Sequence, residues 1–478
     1  MLTWKPELVP STQPVYLALA DALSRDVSAG DLEPGTRLPT HRALAGALGI
    51  NVGTVTRAYA EAARRGLVQG EIGRGTYVRP RRSSMPVAGA AATRGGYLLT
   101  GATPDRIELA FNIPGEDTAT PSVGEVLAEI ARDANHASLF EGYAIPGLPE
   151  HRAAGAAWMT RSGLAADPDR TLVTGGAQHA MSVALAAVTS AGDVVLADSV
   201  TYTGIMALAN AFGLRLEPVT IDEGGLAPEA FEEACRRHAP KVLYCMPTLQ
   251  NPTGTVLSEE RRKEIARIAR LYGVILLEDD TYGPLCGDPP TPLATYAPER
   301  TYFVASMSKT VAAGLRVGYL HGPEAADPAE ATQLFQRLVA SVTGLGWMAA
   351  PLTGEIAARW IHSGVAERVL EQKREEIRHR RALYDRHLGH LGTWSHRSSC
   401  HTWMQLPEPW RGEDLVNEAG RCGITLSPTE AFVVGRAQVP HAVRVCIGTP
   451  RSREELDHAL ERLAELIAVP PPTRHAFV

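Results

Sequence analysis

Apolar residues recur every four positions near the start of the chain, as on one face of a helix over residues 14–29. A second helix is predicted over about 40–48 and a third over about 53–65, each ended by a glycine. Two short alternating runs on either side of residues 70–75 then predict a two-stranded wing. Helix, helix-turn-helix and wing in this order indicate a winged helix-turn-helix domain over residues 10–79.

A longer α/β pattern follows. From residue 107 to about 470, helical and strand-like segments alternate, which is typical of an α/β protein with a largely parallel, buried sheet. We divide this region into a large lobe over about 130–350 and a smaller α/β lobe over about 355–470. Ligands in open α/β sheets bind beyond the carboxyl ends of the strands, so we look for chemistry there. The strand candidates are Leu172–Thr174, Val194–Ala197, Val242–Cys245, Val274–Leu277 and Tyr302–Ala305.

Residues 80–106 separate the two patterns, and their Arg, Ser, Ala and Gly content without periodicity predicts a flexible linker. Charge is distributed unevenly around it. Residues 37–82 hold nine arginines and two acids, a local net charge of +7, whereas residues 83–478 carry about −10. A solvated surface would interleave the two signs. A basic segment on an acidic protein is instead the electrostatic signature of nucleic-acid binding.

Composition argues against several other classes. With 45% hydrophobic and 21% charged residues, the chain has the composition of a soluble globular protein. Its apolar stretches are far shorter than the roughly 20 residues of a membrane helix, and residues 1–10 do not resemble a secretion signal. The six cysteines lack the paired spacing of a zinc site or disulfide framework. We therefore expect a cytoplasmic protein without a metal site.

A lysine flanked by hydroxyls directly follows the last strand candidate. Ser306, Ser308 and Lys309 are trailed seven residues later by Arg316. This pattern suits a phosphate-bearing aldehyde cofactor, because Lys309 would form a Schiff base with it. The two hydroxyls and Arg316 would hold its phosphate by charge-assisted hydrogen bonds. Taken alone, the block is equally compatible with a surface loop.

Acidic and amide side chains end two other strand candidates. Asp279 is placed to keep the pyridine nitrogen of such a cofactor protonated, and Tyr282 to reach the ring's phenolic oxygen. The Asn251 amide is placed to donate to the same oxygen. The alternatives are a helix N-cap for Asp279 or Asp280 and an ordinary turn around Asn251.

Three further positions complete the pattern. Two glycines precede an apolar helix, so the backbone N–H groups of Ala177 and Gln178 would form a phosphate cup. Tyr202 is suited to stack on the cofactor ring, or else is a core tyrosine. Arg444 interrupts an apolar strand, where an unpaired guanidinium is costly. Its partner is either the α-carboxylate of an amino compound or an internal acid.

The first domain resembles the GntR type of winged helix-turn-helix. This resemblance rests on four blocks in family order: PGTRLP at 34–39, RALA at 42–45, TVTRAY at 54–59 and GRGTYV at 73–78. The chain departs from the family at Val52, where GntR proteins commonly carry an arginine just before the recognition helix. Base readout would therefore fall to polar side chains, with arginines mostly on phosphates. The residues expected at these places are Asn51, Thr54 and Thr56 for bases, and Arg42, Arg57 and Arg74 for phosphates.

The region over about 105–470 resembles fold-type I aminotransferases of the class I/II group. Seven blocks carry the resemblance: GGAQ, SVTYTG, NPTG, EDDTY, SMSK, GLRVGY and AVRVCIG. Joined to a GntR-like head, the chain resembles the MocR subfamily of transcriptional regulators. This implies pyridoxal 5'-phosphate (PLP) as cofactor and a homodimer with the cofactor bound between subunits. Tyr143 would reach the other subunit's phosphate.

Two functions from different classes follow from these patterns. A regulator would hold PLP on Lys309 and shift between two arrangements of its DNA-binding heads when an amino compound, or PLP itself, binds. An aminotransferase would use the liberated Lys309 amine to move a proton between substrate and cofactor. A third possibility is an aminotransferase-like part that only dimerises. The basic head favours the regulator, because a metabolic aminotransferase has no use for it.

Overall fold

The structure is a computed structural model that describes residues 4–6, 14–29, 32, 36–64, 67–71, 75–78, 106–112, 122–435, 437 and 441–471. The chain divides into two units, Met1–Arg94 and Gly95–Val478, which we take in turn. Arg74 and residues 80–105 of the expected linker lie outside the described residues.

The first unit has the predicted helix-turn-helix and wing. The Thr40 hydroxyl accepts from the Ala43 N–H at 3.3 Å, which caps the second helix, and Gly49 ends that helix in the left-handed conformation. The third helix begins at Val52, one residue before the predicted start. The elements are α1 Val15–Ala29, α2 His41–Leu48, α3 Val52–Arg64, β1 Val68–Glu71 and β2 Gly75–Val78.

A small apolar core joins these elements. The Tyr59 hydroxyl donates to the Pro39 carbonyl at 2.9 Å and so ties α3 to the residues that precede α2. Strands β1 and β2 pair antiparallel, and an isolated bridge links Tyr77 to Arg37. The wing therefore packs with the helix pair. The core side chains include Leu19, Leu23, Leu44, Val55, Ala58, Val68 and Val78.

The second unit contains the remaining strands and helices. Its strands are β3 Ile107–Glu108, β4 Thr171–Thr174, β5 Val194–Asp198, β6 Arg215–Val219, β7 Ile221–Asp222, β8 Gly225–Leu226, β9 Val242–Cys245, β10 Ile275–Asp279, β11 Thr301–Ser306, β12 Gly318–His321, β13 Thr402–Gln405, β14 Ile424–Thr425, β15 Ser427–Pro428 and β16 Ala442–Val445. Its helices are α4 Val123–Arg132, α5 Pro149–Met159, α6 Ala177–Val188, α7 Thr203–Ala211, α8 Pro228–His238, α9 Glu259–Tyr272, α10 Leu293–Tyr296, α11 Pro328–Gly346, α12 Pro351–His362, α13 Val365–Leu388, α14 Gly412–Arg421 and α15 Arg453–Ile467.

A seven-stranded sheet in the order β4-β12-β11-β10-β9-β5-β6 organises the large lobe. All pairs are parallel except those of β12, which is antiparallel to both of its neighbours. Alternate residues of the central strands enter two different apolar clusters, such as Leu277 in one and Leu276 in the other. The sheet is therefore buried on both faces, which explains why its strands read as continuous apolar runs.

The five predicted strands are present, and the two strands of the seven-stranded sheet that the sequence did not predict are β6 and β12. Strand β6 lies at the sheet edge and is partly exposed, so its pattern is weak. Strand β12 begins inside the GLRVGY block, which was interpreted as a phosphate-binding motif and not as a strand.

The smaller lobe has its own antiparallel sheet, β13-β16-β15, packed with α13, α14 and α15. The chain enters the unit in this lobe, because β3 pairs in parallel with β14. Residues 106–112 thus lie beside strands from the other end of the sequence. Within the described ranges, no helix combines the length and apolar character needed to cross a bilayer.

Acid sensitivity is expected from His321 on β12. Its Nε2 accepts from the Asp167 N–H at 3.1 Å, and burial lowers its pKa to about 4. The unfolded chain, with an ordinary pKa near 6.5, binds more protons between these values, so acidification favours unfolding. Going from pH 7 to pH 5 should lower the free energy of unfolding by roughly 2 kcal/mol through this side chain.

Chemical denaturation of the whole chain and of His321→Gln at the two pH values checks this. The variant should lose part of the pH dependence, whereas the exposed control His390→Gln should keep it. Equal pH dependence in all three proteins would contradict the assignment.

Candidate functional site

Two strand ends and one strand start meet at the carboxyl edge of the large sheet. Strand β10 ends at Asp279 and β11 at Ser306. Because β12 runs antiparallel, its first residue Gly318 pairs with Ser306. Arg316, two residues before β12, and Lys309, three residues after β11, therefore lie at the same edge of the sheet.

Lys309 lies half-buried at this edge. Its Nζ donates to the backbone carbonyl of Asn112. Burial lowers the pKa of the amine below its ordinary value, and the positive charges of Arg444 and Arg316 act in the same direction. More of the amine is therefore neutral at a given pH, and the neutral amine is the form that attacks an aldehyde.

A cradle for an anion lies beside the lysine. Helix α6 starts at residues 177–178, and no side chain caps its first turn, so its N–H groups suit a phosphate. The Arg316 Nη1 donates to the Ser308 Oγ at 3.3 Å, and the Ser306 Oγ accepts from the Ser308 N–H at 3.1 Å. A Cβ at Gly176 would lie 2.7 Å from Arg316 Nη2, so glycine is what lets the guanidinium approach.

Asp279 is held by hydrogen bonds on both of its oxygens. Tyr244 donates to Oδ2 at 2.9 Å, and Thr281 donates to Oδ1 from its backbone at 3.1 Å and from its hydroxyl at 2.6 Å. Burial raises the pKa of the carboxyl, and these donors oppose the rise. The bond to Thr281 spans two residues and forms a turn. The next helical turn is Gly283–Cys286, with Tyr282 at its N-cap position, so Asp279 is not the N-cap of a helix. Its neighbour Glu278 accepts from the start of α10 instead.

Tyr202 lies near Asp279 and is half-buried. Its pKa is raised by burial and by the negative charge of Asp279. A Cβ at Gly204 would lie 2.1 Å from the Tyr202 ring, so glycine leaves room for the ring to lie over the start of α7. Gln178 donates to the Gly204 carbonyl at 3.0 Å, while its Oε1 is buried without a partner in the described part of the chain.

Tyr282 is buried next to two residues that no sequence motif indicated. The Asn112 Nδ2 donates to the Tyr282 hydroxyl at 2.9 Å and contacts the His401 Nδ1 at 2.8 Å. The tyrosine and histidine rings have centroids 5.4 Å apart. Segment 106–112 and the smaller lobe thus complete a site whose other members lie on the large sheet.

Arg444 is satisfied by neutral groups. It donates to the Asn251 Oδ1 at 2.7 Å, to the Ser427 Oγ at 3.3 Å and to the Ala110 carbonyl, and its guanidinium lies 4.6 Å from the Phe432 ring centroid. Among the described residues, no carboxylate forms an ion pair with it, and its Nε is buried without a partner. Of the two expected partners, the internal acid is not found. An external carboxylate still has a donor to bind.

Tyr143 does not contact the cluster around Lys309 through any hydrogen bond among described residues. Its side chain is 72% exposed and packs edge-to-face on Trp347, with ring centroids 5.5 Å apart. Phe140, three residues earlier, is 70% exposed. These aromatic side chains form a surface of the second unit.

The expected DNA contacts lie on the exposed side of the first unit, on α2 and around the start of α3. The Asn51 Oδ1 accepts from the Gly53 N–H at 2.7 Å, and the Thr56 hydroxyl donates to the Val52 carbonyl at 3.1 Å. Both side chains therefore also stabilise the helix start. Arg74 lies outside the described residues. Exposed are Arg42, Asn51, Thr56 and Arg57, while Thr54 is half-buried.

The residues that sequence reasoning missed are Tyr244, Thr281, Asn112 and His401. A hydroxyl in the fully buried strand β9 requires a partner, which was a usable signal for Tyr244. Thr281 follows Asp279 at the spacing of a side-chain turn. Asn112 and His401 lie 289 residues apart, and no local pattern connects them.

Residues 104–463 match the aminotransferase class I and II family, and residues 15–78 match the bacterial regulatory proteins of the gntR family. The HTH-type transcriptional regulator YdeF of Bacillus subtilis (strain 168), itself uncharacterized, is 30% identical over 468 residues, covering 98% of this chain and 97% of its own. The HTH-type pyridoxine biosynthesis transcriptional regulator PdxR of Corynebacterium glutamicum is 27% identical over 384 residues, with 78% of each chain covered.

The chain belongs to the aminotransferase class I and II family. It joins this domain to a gntR-type head, which is the MocR-type architecture. The second unit of this chain has the same fold as kynurenine aminotransferase from Pyrococcus horikoshii. The two structures align with a TM-score of 0.68 and 24% sequence identity, and the alignment covers 77% of this chain and 91% of that one. These comparisons confirm the family and fold expected from the sequence.

PLP is the cofactor of this fold, and the residues present fit it. The half-buried Lys309 amine, an uncapped helix start beside an arginine and the buried Asp279 carboxylate supply one partner each for its aldehyde, phosphate and ring nitrogen. The buried Gln178 Oε1 and Arg444 Nε have no partner among the described residues, so both atoms can hydrogen-bond to a polar ligand.

Gly176→Ala tests the anion cradle. At φ 93° an alanine is strained, and its Cβ would lie 2.7 Å from the Arg316 guanidinium. A cost of about 1–2 kcal/mol should weaken PLP binding roughly tenfold. Titration of visible absorbance with PLP measures this. Gly314→Ala is the matched control, because its Cβ meets nothing within 4 Å. Equal PLP affinity of the two variants would count against the cradle.

Proposed function

We propose that the chain is a homodimeric, PLP-dependent transcriptional regulator of the cytoplasm that binds operator DNA and responds to an amino compound or to PLP itself. The observation that supports this most is that one chain combines a half-buried lysine in a PLP-type site with an exposed helix-turn-helix. The 98% coverage by a relative named as a regulator agrees with that combination.

In this proposal each part of the cofactor has a partner in the described residues. PLP supplies an aldehyde that combines with an amine and a ring that withdraws electrons. Lys309 provides the amine, and Asp279 holds the charge of the ring nitrogen. Arg316, Ser306 and Ser308 hold the phosphate together with the N–H groups at the start of α6. Tyr202 lies against the ring, and Tyr282 and Asn251 lie at its oxygen.

The ligand is proposed to be an amino compound with a carboxylate. Its amine would compete with Lys309 for the same aldehyde carbon, and its carboxylate would take the free Nε of Arg444. Arg444 stands on β16 of the smaller lobe, whereas Lys309 follows β11 of the large lobe. A ligand that bridges the two lobes has a different affinity for each arrangement of them, which is what a regulatory response requires.

The partner subunit is proposed to cover the exposed aromatic side chains of the second unit. Tyr143, Phe140 and Trp347 present large apolar rings to solvent in a single chain. Exposed apolar surface of this kind marks an interaction site. Tyr143 would then reach the phosphate bound by the other subunit, as the family resemblance implies.

An aminotransferase remains the alternative, because nothing among the described residues disables the Lys309 amine as a base. The N-terminal head favours the regulator. In the proposal its residues divide into phosphate contacts from Arg42, Arg57 and Arg74, and base contacts from Asn51, Thr54 and Thr56.

Lys309→Ala separates the two halves of the proposal. The variant should bind operator DNA as tightly as the original chain, because its head is unchanged. It should show no imine absorbance with PLP and no change of DNA affinity on adding PLP or amino acids. Absorbance spectra and fluorescence anisotropy with the chain's own upstream DNA measure both. A PLP response that survives in the variant would contradict the role of Lys309.

Arg42→Ala should weaken binding to every DNA sequence to a similar extent, because a phosphate contact carries no sequence information. The slope of log K against log salt should become shallower by about 0.9 for each lost contact. Anisotropy titrations at several salt concentrations measure this. An unchanged slope would remove Arg42 from the phosphate contacts. Ala60→Ser, exposed on α3, serves as the control.

A further inference from the structure

A chain of buried hydrogen bonds leads from a backbone carbonyl to the Tyr282 hydroxyl. The His401 Nε2 lies 2.9 Å from the Gln250 carbonyl oxygen, and its Nδ1 lies 2.8 Å from the Asn112 Nδ2. The same Nδ2 lies 2.9 Å from the Tyr282 hydroxyl. Gln250, His401, Asn112 and Tyr282 are all at least nine-tenths buried, so water does not replace these partners.

The first link fixes where the histidine proton sits. A carbonyl oxygen only accepts, so the His401 Nε2 must carry the proton that it shares with Gln250. Burial lowers the pKa of His401 to about 3, which keeps the ring neutral. A neutral imidazole has one N–H, and therefore Nδ1 is an acceptor.

The second link fixes the orientation of the amide. An accepting Nδ1 requires a donor opposite, so the Asn112 group that faces it must be the NH₂ and not the oxygen. The Cys400 thiol lies 3.2 Å from the amide oxygen and donates to it, which agrees with this orientation. The second N–H of the same group then points to the Tyr282 oxygen.

The third link leaves the Tyr282 proton unused. The hydroxyl accepts from Asn112 and keeps its own O–H to donate elsewhere. We propose that His401 and Asn112 are positioning residues that aim the Tyr282 proton at the phenolic oxygen of bound PLP. This inference rests on the proposed place of Tyr282 at that oxygen. It adds that the Gln250 carbonyl, on the loop after β9, fixes the direction of every hydrogen bond in the chain and so leaves the Tyr282 proton free to be donated to PLP.

The consequence is a shift in the titration of bound PLP. A hydrogen bond donated to the ring oxygen stabilises its anionic form, so the nitrogen of Lys309 joined to the cofactor loses its proton at a lower pH. Without the hydrogen bond from Tyr282, the pH midpoint of the change in visible absorbance, which follows the proton on the Lys309 nitrogen, should rise by about one unit. This is a tenfold change in the proton equilibrium.

Other charged and titratable groups face this site, and the test must cancel their effects. Those that act on Tyr282 or Lys309 come from the large sheet, from α13 and from the smaller lobe. They are Tyr202, Arg316, Lys373, Cys400, Arg444 and Cys446.

Asn112→Asp reverses the relay, because an ionised carboxylate accepts only and draws the Tyr282 proton to itself. Its negative charge also raises the midpoint directly. The variant is therefore compared in two backgrounds, with Tyr282 and with Tyr282→Phe. In the phenylalanine background the charge acts without the Tyr282 donation, together with any proton that His401 gains or moves because its Nδ1 no longer faces a donor. Both of these effects are common to the two backgrounds. The proposal predicts that the shift caused by Asn112→Asp is about one pH unit larger when Tyr282 is present.

The matched control is Cys400→Ala, which removes the bond to the amide oxygen but leaves both N–H links. Its shift should be the same in both backgrounds. An equal shift for Asn112→Asp in the two backgrounds overturns the relay and leaves Tyr282 in place. If Tyr282→Phe alone does not move the midpoint, Tyr282 is not at the ring oxygen. In that case both the relay and this part of the proposed function fail.

A second measurement needs no variant at Asn112 and covers the case in which Asn112→Asp does not fold. Nitrogen-15 NMR of the PLP-loaded whole chain, labelled at histidine, reports which ring nitrogen carries the proton. The signal of His401 is assigned by its loss in His401→Gln. The proposal predicts a protonated Nε2 and a bare Nδ1 from pH 5 to pH 8. A protonated Nδ1 would overturn it.

Discussion

The rest of the site depends on keeping one amine out of water. Lys309 lies half-buried at the carboxyl edge of the large sheet, and it donates to a backbone carbonyl of the segment by which the chain enters the second unit. Desolvation lowers the pKa of the amine, and two nearby guanidiniums lower it further. Burial and charge therefore both favour the neutral, nucleophilic form of the amine.

That environment is assembled from distant parts of the chain. The antiparallel strand β12 returns Arg316 to the edge where β11 ends, so the anion cradle and the lysine share one corner. Residues 106–112 add Ala110 and Asn112 from the opposite end of the unit. Arg444 and Lys309 donate to carbonyls two residues apart on this segment. Arg444, which a ligand would use, and Lys309, which a cofactor would use, thus both hydrogen-bond to residues 110–112. This segment follows the N-terminal head in sequence.

Much of this was predictable where chemistry follows local pattern. The helix-turn-helix, five of the seven strands of the large sheet and the cluster at their carboxyl ends came from periodicity and from motifs at strand ends. The antiparallel return of β12 was missed because its four residues carry no pattern of their own. Asn112 and His401 were missed because their contacts join segments almost three hundred residues apart, and such pairing is decided by tertiary packing. The neutral partners of Arg444 were not predicted for the same reason, because Asn251 and Ala110 also come from distant segments.

The most direct test of the account is chemical. Bound PLP is reduced onto its amine with sodium borohydride, which adds hydride to the carbon–nitrogen double bond and makes the link permanent. Peptide mapping of the digested chain then locates it. The account predicts the phosphopyridoxyl group on Lys309. Its presence instead on Lys373, the buried lysine whose amine donates to the Val311 carbonyl at 2.8 Å, or on no lysine at all, would contradict it.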